Sequence, residues 1–291
     1  MARAKHRKRA SGCLTRVICL AALILIIAYP FYEAGNWQTE SVTLEVSGLS
    51  SDLNNLKIAY ISDIHYGAFL PQSRVEELVN RVNALNADII LLGGDYAEDS
   101  NGAIEFFQIA PRFRARLITA GVMGNHDRTV PESNLALLQS TMLNAGVLPL
   151  VNAVKEVRIG GASLYLAGID DVNNGHPNVR SVARQLTQDD FCIFLTHSPE
   201  GLSDAFTVSG GDGKNRWFDL ALCGHTHGGQ VTLFGRPLID SIAKVEERYL
   251  SGWLTENRVP VLVSNGVGTS VLPIRLFAQP QIHLITLKAV R

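Results

Sequence analysis

The sequence is poor in charged residues and in cysteine. Only 18% of its 291 residues are Asp, Glu, Lys or Arg, whereas 46% are hydrophobic, which excludes a disordered chain and favours a domain with a large buried core. The four cysteines form no CxxC pair, so a disulfide framework is not expected. Cys192 and Cys223 lie in apolar runs typical of buried strands.

Basic residues are scarce beyond the N-terminus. Arg and Lys occur six times before the first acidic residue, Glu33, and the rest of the chain has more acidic than basic side chains. An acidic body lacks the surface with which a nonspecific nucleic-acid binder neutralises phosphates. Nucleic acid is therefore not expected as a partner, whereas a small phosphate ester drawn in by metal ions is compatible with this composition.

An apolar run at 17–32 follows the basic cluster and is interrupted only by Pro30. As a helix it covers roughly 24 Å, slightly less than a hydrocarbon core of about 30 Å. No A-x-A cleavage site follows it, which favours an uncleaved membrane anchor over an export signal. The basic flank then predicts a single-pass protein of the inner (plasma) membrane with a cytoplasmic N-terminus and a periplasmic domain. Four aromatic residues fit a belt at the far interface: Tyr29, Phe31, Tyr32 and Trp37.

These features divide the chain into a basic cytoplasmic flank (1–16), a membrane anchor (17–35), a short connecting segment (36–54) and one domain (55–291). Within the domain, short apolar runs alternate with amphipathic stretches, the pattern of an α/β fold. Helices are predicted after a capping box at Ser73 and Glu76, over 104–114, and from Pro131 to near Gly146. The predicted strands are 56–61, 89–92, 117–123, 163–167, 191–195, 220–223, 261–264 and 282–287.

Five polar motifs follow the predicted strands: DIH at 63–65, GGD at 93–95, GNHD at 124–127, TH at 196–197 and GHTHGG at 224–229. Loops at the carboxyl ends of strands converge in α/β sheets, so distant motifs can form one site. In an extended segment residues i and i+2 point the same way, which predicts that Asp63 with His65, and His225 with His227, form chelating pairs. Imidazole, carboxylate and amide groups without a thiolate suit Mn, Fe or Zn better than Mg or Ca.

Each motif alone is a weak signal, because an isolated histidine is more often structural than a ligand. The ordered set is stronger, since it contains five of the eight histidines. The other three, His6, His176 and His283, are interpreted as having no functional role. Ordinary structural roles are also expected for four further residues. Arg128 and Arg275 are expected to form ion pairs, and Asp170 and Asp171 are expected to form turns.

The ordered set resembles the signature of the calcineurin-like metallophosphoesterases. The resemblance implies a four-layer αββα sandwich, in which two mixed β-sheets are flanked by helices, here behind an N-terminal transmembrane helix. It also implies two divalent metal ions (Mn, Fe or Zn), a pair that activates water and binds the phosphoryl group from about 3.5 to 4 Å apart. Asp63, His65 and His227 would hold one ion and Asn125, His197 and His225 the other, with Asp95 bridging. His126 would lie near the metals without binding them and would protonate the leaving oxygen or stabilise the transition state, and Asp127 would orient His126 by a hydrogen bond.

The pattern GHTHGGQ ending at Gln230, the segment at 261–276 and the apolar N-terminus resemble the membrane-associated bacterial branch of this family. That likeness implies a membrane-anchored phosphodiesterase acting on a lipid-linked or other small phosphodiester. The alternative is a UDP-2,3-diacylglucosamine diphosphatase of lipid A biosynthesis, whose substrate is expected on the cytoplasmic side. The complete ligand set disfavours a noncatalytic scaffold, and the acidic body disfavours a nuclease. The sequence does not indicate an oligomeric state.

Overall fold

The structure is a computed structural model that describes residues 2–129, 132–238 and 245–290, with side chains from residue 14 onward except at 132 and 133. Helix α1 (Ala2–Gly35) contains Pro30. Its part Leu14–Gly35 has a mean hydropathy of 2.2 and is long and apolar enough to cross a membrane. A candidate membrane span therefore lies where the apolar run predicted one. Trp37, expected in the aromatic belt, is instead buried, and its indole Nε1 donates to the Val267 carbonyl oxygen at 2.8 Å.

Fourteen strands follow in the described residues: β1 (Gln38–Ser47), β2 (Lys57–Ile61), β3 (Ile89–Leu92), β4 (Ile118–Gly121), β5 (Val147–Pro149), β6 (Ala153–Ile159), β7 (Ala162–Gly168), β8 (Phe191–Leu195), β9 (Leu220–Cys223), β10 (Thr232–Leu233), β11 (Arg236–Pro237), β12 (Gly252–Glu256), β13 (Val259–Val263) and β14 (Gln281–Val290). One six-stranded sheet has the order β1-β14-β2-β3-β4-β5 and the other the order β12-β13-β9-β8-β7-β6. Strands β10 and β11 form a separate two-stranded hairpin. Both large sheets are mixed, with parallel strands at their centres.

Helices cover the outer face of each sheet. Helices α2 (Gln72–Ala84), α3 (Ser100–Ile109) and α4 (Glu132–Asn144) pack on the first sheet, and α5 (Val179–Ala183) and α6 (Glu200–Thr207) pack on the second. Side chains alternate along each strand, so Ala59 and Ile61 face the helices while Ile58 and Tyr60 face the other sheet. The result is the expected four-layer αββα sandwich.

The parallel strands bring the polar motifs to one edge. Each motif begins within three residues of the end of β2, β3, β4, β8 or β9, and these strands pair in parallel within their sheets. The two edges also meet, because the His225 amide donates to the Asp63 carboxylate at 2.9 Å. The strand ends of both sheets therefore contribute to one site.

Strands β3, β8 and β9 have the predicted bounds, whereas two helix predictions are wrong in detail. Helix α2 begins after Pro71, which makes no side-chain cap, so the capping box does not form. Helix α3 begins earlier than expected because Asp99 caps it, and it ends at Ile109, two residues before Pro111. Pro131, the expected start of α4, lies outside the described residues.

The segment 36–54, expected as a connection, contains β1 and a short 3₁₀ turn, Ser51–Leu53. Strand β1 pairs in parallel with β14 from Gln38 opposite Gln281 to Ser47 opposite Val290. This segment is therefore an edge of the first sheet. Cys192 and Cys223 are buried free thiols, as predicted.

Candidate metal centre

The loops that carry the expected ligands have an uncommon backbone conformation. Five of the ligand residues have φ between +49° and +69°, in the left-handed region: Asp63, His65, Asp95, His225 and His227. This conformation costs a residue with a Cβ about 1–2 kcal/mol, and such strain is typically found at functional sites. The segments are therefore not extended, and the chelating pair predicted for His225 with His227 does not form: the two side chains belong to different groups.

The first group consists of Asp63, His65 and His227, whose possible ligand atoms lie within 4.8 Å of one another. The two imidazole Nε2 atoms are 3.1 Å apart, and His227 Nε2 lies 3.7 Å from a carboxylate oxygen of Asp63. All three side chains are buried.

The second group consists of Asp95, His197 and His225, also within 4.8 Å of one another. His197 Nε2 lies 3.2 Å from His225 Nδ1 and 3.2 Å from Asp95 Oδ2. The amide oxygen of Asn125 is 3.2 Å from the same His197 nitrogen. Asn125 thus joins this group, as its position in the GNHD motif implied.

Asp95 lies between the two groups. Its Oδ2 is 3.2 Å from His197 Nε2 and 3.7 Å from His65 Nε2, while its Oδ1 accepts a hydrogen bond from the His126 amide at 2.9 Å. The structure therefore brings all seven expected ligands together, with one carboxylate shared.

Burial and neighbouring charges shift the pKa values of several ligand side chains. Burial opposes ionisation of Asp95, but the neighbouring His197 holds the pKa of Asp95 well below its usual range, and Asp95 in turn raises the pKa of His197. Burial lowers the pKa of His227, with His65 adding to the effect, and burial also lowers the pKa of His225. His197 Nδ1 lies 2.8 Å from the Gly93 carbonyl oxygen, which places a proton on Nδ1 and presents Nε2 to the site. Buried, converging imidazoles around an ionised carboxylate fit divalent metal ions.

His126 lies beside these groups and is half buried. Its ring makes an edge-to-face contact with His65 at a centroid distance of 4.9 Å, and its Nδ1 lies 2.9 Å from the Glu98 carbonyl oxygen. Burial alone would lower the pKa of His126, but Asp95 and the bond to Glu98 raise it overall. The side chains of His65, Glu98 and His126 also form a third convergent group, which shares His65 with the first.

Asp127 has different partners from the one expected. Its Oδ2 accepts hydrogen bonds from the amides of Asp95 and Gly124 at 2.8 and 2.9 Å, and its Oδ1 accepts one from the Tyr96 amide at 3.0 Å. The hydrogen bond predicted from Asp127 to the His126 ring is therefore wrong, because the turn directs the carboxylate towards the backbone. Burial and the nearby Asp95 raise the pKa of Asp127 to about 7. Asp127 joins the GGD and GNHD loops.

Arg275 is a site residue that sequence reasoning missed. It is completely buried, and instead of the expected ion pair it donates to the carbonyl oxygens of His227, Asn265, Gly268 and Ala278 at 2.6–3.1 Å. Its Nη2 also lies 3.2 Å from His227 Nδ1. Nothing in the run around Arg275 indicates this role. It fixes the loop 264–278 against a ligand of the first group.

Three other residues support the ligands. Glu98 Oε1 lies 3.3 Å from His65 Nδ1, and the side-chain Nδ2 of Asn174 donates to the Asn125 carbonyl oxygen at 2.8 Å. Asp171 forms the turn expected of it by accepting from the amides of residues 173 and 174. The ion pair predicted for Arg128 is confirmed, with Asp170 as partner at 3.0 Å.

Comparisons with known proteins agree with this geometry. The model of the calcineurin-like phosphoesterase family matches residues 56–229, which include all seven converging side chains. The phosphodiesterase YaeI of Escherichia coli K12 is 30% identical over 238 residues, which cover 79% of this chain and 82% of that protein. The uncharacterized metallophosphoesterase YkuE of Bacillus subtilis 168 is 25% identical over 258 residues, 87% of this chain and 86% of that protein. A Bos taurus transmembrane protein with a metallophosphoesterase domain is 27% identical over 264 residues, 86% of this chain and 56% of that protein.

Proposed function

Because the chain belongs to the calcineurin-like phosphoesterase family and is therefore a metal-dependent phosphoester hydrolase, we propose that it is a membrane-anchored phosphodiesterase acting on a lipid-linked or other small phosphodiester. The observation that carries this proposal is the convergence of two ligand groups on the shared carboxylate of Asp95. The relative named a phosphodiesterase supports the choice of a diester.

Asp63, His65 and His227 would hold one divalent ion, and Asn125, His197 and His225 the other, with Asp95 shared between them. Such a pair of ions lowers the pKa of bound water and neutralises charge on a phosphoryl group. The chain supplies a buried site in which the imidazole nitrogens of each group converge.

We propose that His126 gives a proton to the leaving oxygen. Because the Glu98 carbonyl can only accept, Nδ1 of His126 carries a proton in this contact, and Nε2 is the nitrogen available for the proton transfer. The raised pKa of His126 favours the protonated imidazole, which is the form that can donate. Replacing His126 by Ala should lower turnover and leave the metal content nearly unchanged. Loss of metal in parallel with activity would contradict a nonligand role.

The membrane part of the proposal rests on α1. We propose that residues 17–35 anchor the chain in the inner membrane, with the basic flank 1–16 in the cytoplasm and the catalytic domain outside. Since β1 pairs with β14, the domain in this proposal begins near residue 38 instead of 55. An anchored site favours substrates that are themselves held in the bilayer.

The first test compares hydrolysis of bis(p-nitrophenyl) phosphate with that of p-nitrophenyl phosphate by the full chain in detergent, with and without Mn. We expect metal-dependent turnover that prefers the diester and disappears in Asp95→Ala. The matched control is Asp99→Ala, which removes an exposed carboxylate and should keep full activity. Preference for the monoester would contradict the diesterase assignment, and absence of turnover with any metal in a folded protein would favour a noncatalytic scaffold.

A second test addresses the lipid. Turnover of a phospholipid diester in mixed micelles is compared with that of its water-soluble headgroup analogue, at equal total concentration. A higher kcat/KM for the lipid that falls as the lipid is diluted with detergent is the expected result. Equal values would count against a lipid-linked substrate while leaving the phosphodiesterase activity intact.

A further inference from the structure

Large apolar side chains are exposed in three loop segments of the catalytic domain. Five of them define what we call the apolar collar: Phe69 at 45% exposure, Phe234 at 94%, Val271 at 64%, Leu272 at 39% and Phe277 at 64%. None of the five belongs to the three buried core clusters. They therefore lie outside the packed cores of the sandwich.

The collar is located where α1 joins the domain. The Arg275 amide donates to the Pro30 carbonyl oxygen at 3.0 Å, and the Ala278 amide donates to the Glu33 carboxylate at 2.9 Å. A cleft beside the helix is lined by Phe31 together with Phe69 and residues 267–269. The loops of the collar therefore lie next to the last turns of the candidate membrane span.

The hairpin β10–β11, which carries Phe234, is joined to the same loop. The Thr232 amide donates to the Leu276 carbonyl oxygen at 2.9 Å, and its hydroxyl lies 3.2 Å from the Phe277 carbonyl oxygen. The buried Gln230 holds the loop on its other side: its amide donates to the carbonyl oxygens of Ser270 and Leu272 at 2.8 and 3.0 Å, and its oxygen accepts from the Ser270 amide at 2.9 Å. Residues 230–234 and 270–277 thus form one connected surface.

Three members of the collar have a left-handed backbone. Phe234, Val271 and Phe277 have φ of +52°, +64° and +54°. Glycine or asparagine is preferred there, because a Cβ crowds the following carbonyl oxygen, and a β-branched valine is an outlier. A water-exposed loop would gain from a small polar residue at each position. Large apolar side chains held outward in this way indicate contact with an apolar phase outside the chain.

We propose that the apolar collar inserts into the headgroup–acyl boundary of the bilayer that α1 spans. The catalytic domain then lies against the membrane and is not attached to it through α1 alone. The occupant is lipid because the surface is continuous with a helix whose apolar side chains are themselves exposed, including Phe31 and Tyr32 at its exit. Arg236, exposed on the hairpin beside Phe234, has the charge to contact a lipid phosphate.

This placement gives the metal centre a fixed relation to the bilayer. The loop that carries Val271, Leu272 and Phe277 also contacts two ligands of the first group. The Gly268 amide donates to the Asp63 carbonyl oxygen at 2.7 Å, and the Arg275 side chain donates to the His227 carbonyl oxygen. One loop therefore carries three members of the collar and also contacts two of the metal ligands. Insertion of the collar into the bilayer places the metal centre near the lipid headgroups, where the phosphate of a diester held in the bilayer lies.

The inference rests on the proposed anchoring of α1, and site-directed spin labelling of the full chain in nanodiscs separates the two. Cys13 and Cys19 are replaced by Ser, and single labels are placed at Phe234→Cys and Phe277→Cys. A label at Leu25→Cys, which is 69% exposed on α1, reports on the anchor. The matched control is Leu143→Cys, 54% exposed on α4, which packs near β5 at the opposite edge of the first sheet from β1.

The measurement is the ratio of collision rates with oxygen, which concentrates in lipid, to those with a water-soluble nickel chelate. We expect this ratio to be several-fold higher at residues 25, 234 and 277 than at residue 143. A high ratio at 25 with control-like ratios at 234 and 277 would overturn the collar and spare the anchor. Control-like ratios at all sites would overturn both, and low rates with both reagents at 234 and 277 would overturn the lipid in favour of a protein partner.

Discussion

Replacing Asp127 by Ala tests what holds the two central ligand loops together. The carboxylate accepts three hydrogen bonds from buried backbone amides, two in the GGD region and one at Gly124. Without the side chain, these three donors lose their partner. We therefore expect the variant to lose stability and metal affinity together, even though Asp127 is not one of the proposed ligands.

The stability that Asp127→Ala loses depends on pH. Leaving three buried donors unpaired costs about 6 kcal/mol, at about 2 kcal/mol each. Against this, the pKa of Asp127 rises from 3.8 to about 7 on folding, so the folded state binds this proton more tightly and the carboxyl group contributes less stability as pH rises through that window. The raised pKa makes the buried carboxyl group unfavourable to folding by about 2 kcal/mol at pH 5.5 and about 4 kcal/mol at pH 8, and replacement by Ala removes this cost. The net loss is then about 4 kcal/mol at pH 5.5 and about 2 kcal/mol at pH 8.

The assay is thermal unfolding of the chelator-treated full chain in detergent, followed by tryptophan fluorescence at both pH values. At about 3 °C per kcal/mol, we expect Tm to fall by roughly 12 °C at pH 5.5 and roughly 6 °C at pH 8. Metal content after reloading with Mn should fall as well. The matched control, Asp99→Ala, removes one carboxylate–amide bond at the start of α3 and should cost about 1 kcal/mol without changing metal content.

The opposite result is well defined. If Asp127→Ala unfolds like the wild type at both pH values, holds the same metal and loses only turnover, then Asp127 acts on the His126 ring after all. In that case the reasoning from the three amide contacts is refuted.

Three further results are expected. A Cβ at Gly268 would overlap the carbonyl oxygen of Ile64, a backbone atom that cannot rotate away. Gly268→Ala should therefore weaken Mn binding measured by titration. The control Gly161→Ala, whose Cβ meets only an ordinary contact, should leave Mn binding unchanged. Burial lowers the pKa of His283 from 6.5 to about 4, so the unfolded chain takes up a proton between these values and stability falls by up to about 3 kcal/mol as pH drops through this window. Unfolding between pH 6.5 and 4 should show this slope in His176→Gln and lose it in His283→Gln. Removing metal with EDTA should lower Tm, and Mn at 100 times its Kd should restore about 2.7 kcal/mol for each site that it fills.

The strands that carry the site could be predicted from the sequence because each is a short apolar run followed directly by a polar motif. Buried parallel strands such as β3 and β8 need no distant information to be recognised. Strand β1 was not predicted, although Val42, Leu44 and Val46 alternate with more exposed residues. Its partner β14 lies at the other end of the chain, so the pairing that makes it a strand is not local.

The identities of the converging side chains could also be predicted, but not the contacts of the residues around them. Asp127 is adjacent to His126 in sequence, yet the turn directs its carboxylate back to Gly124 and across to β3's loop. Arg275 is far in sequence from His227 and carries no motif. Side-chain direction within a tight turn depends on backbone angles that the residue types do not specify.

The left-handed backbone at five ligand positions explains how motifs with i and i+2 spacing serve two ions. An extended HTH segment would present both imidazoles to one point, whereas positive φ at His225 and His227 separates them, one towards His197 and the other towards His65. At about 1–2 kcal/mol each, five such residues cost several kcal/mol. The hydrogen bonds of Asp127 and Arg275 to the surrounding backbone fix these loops, and every partner in them belongs to the chain. Residues outside the proposed ligand set, Asp127 and Arg275, thus contribute to the strained loop geometry on which the ligand positions depend.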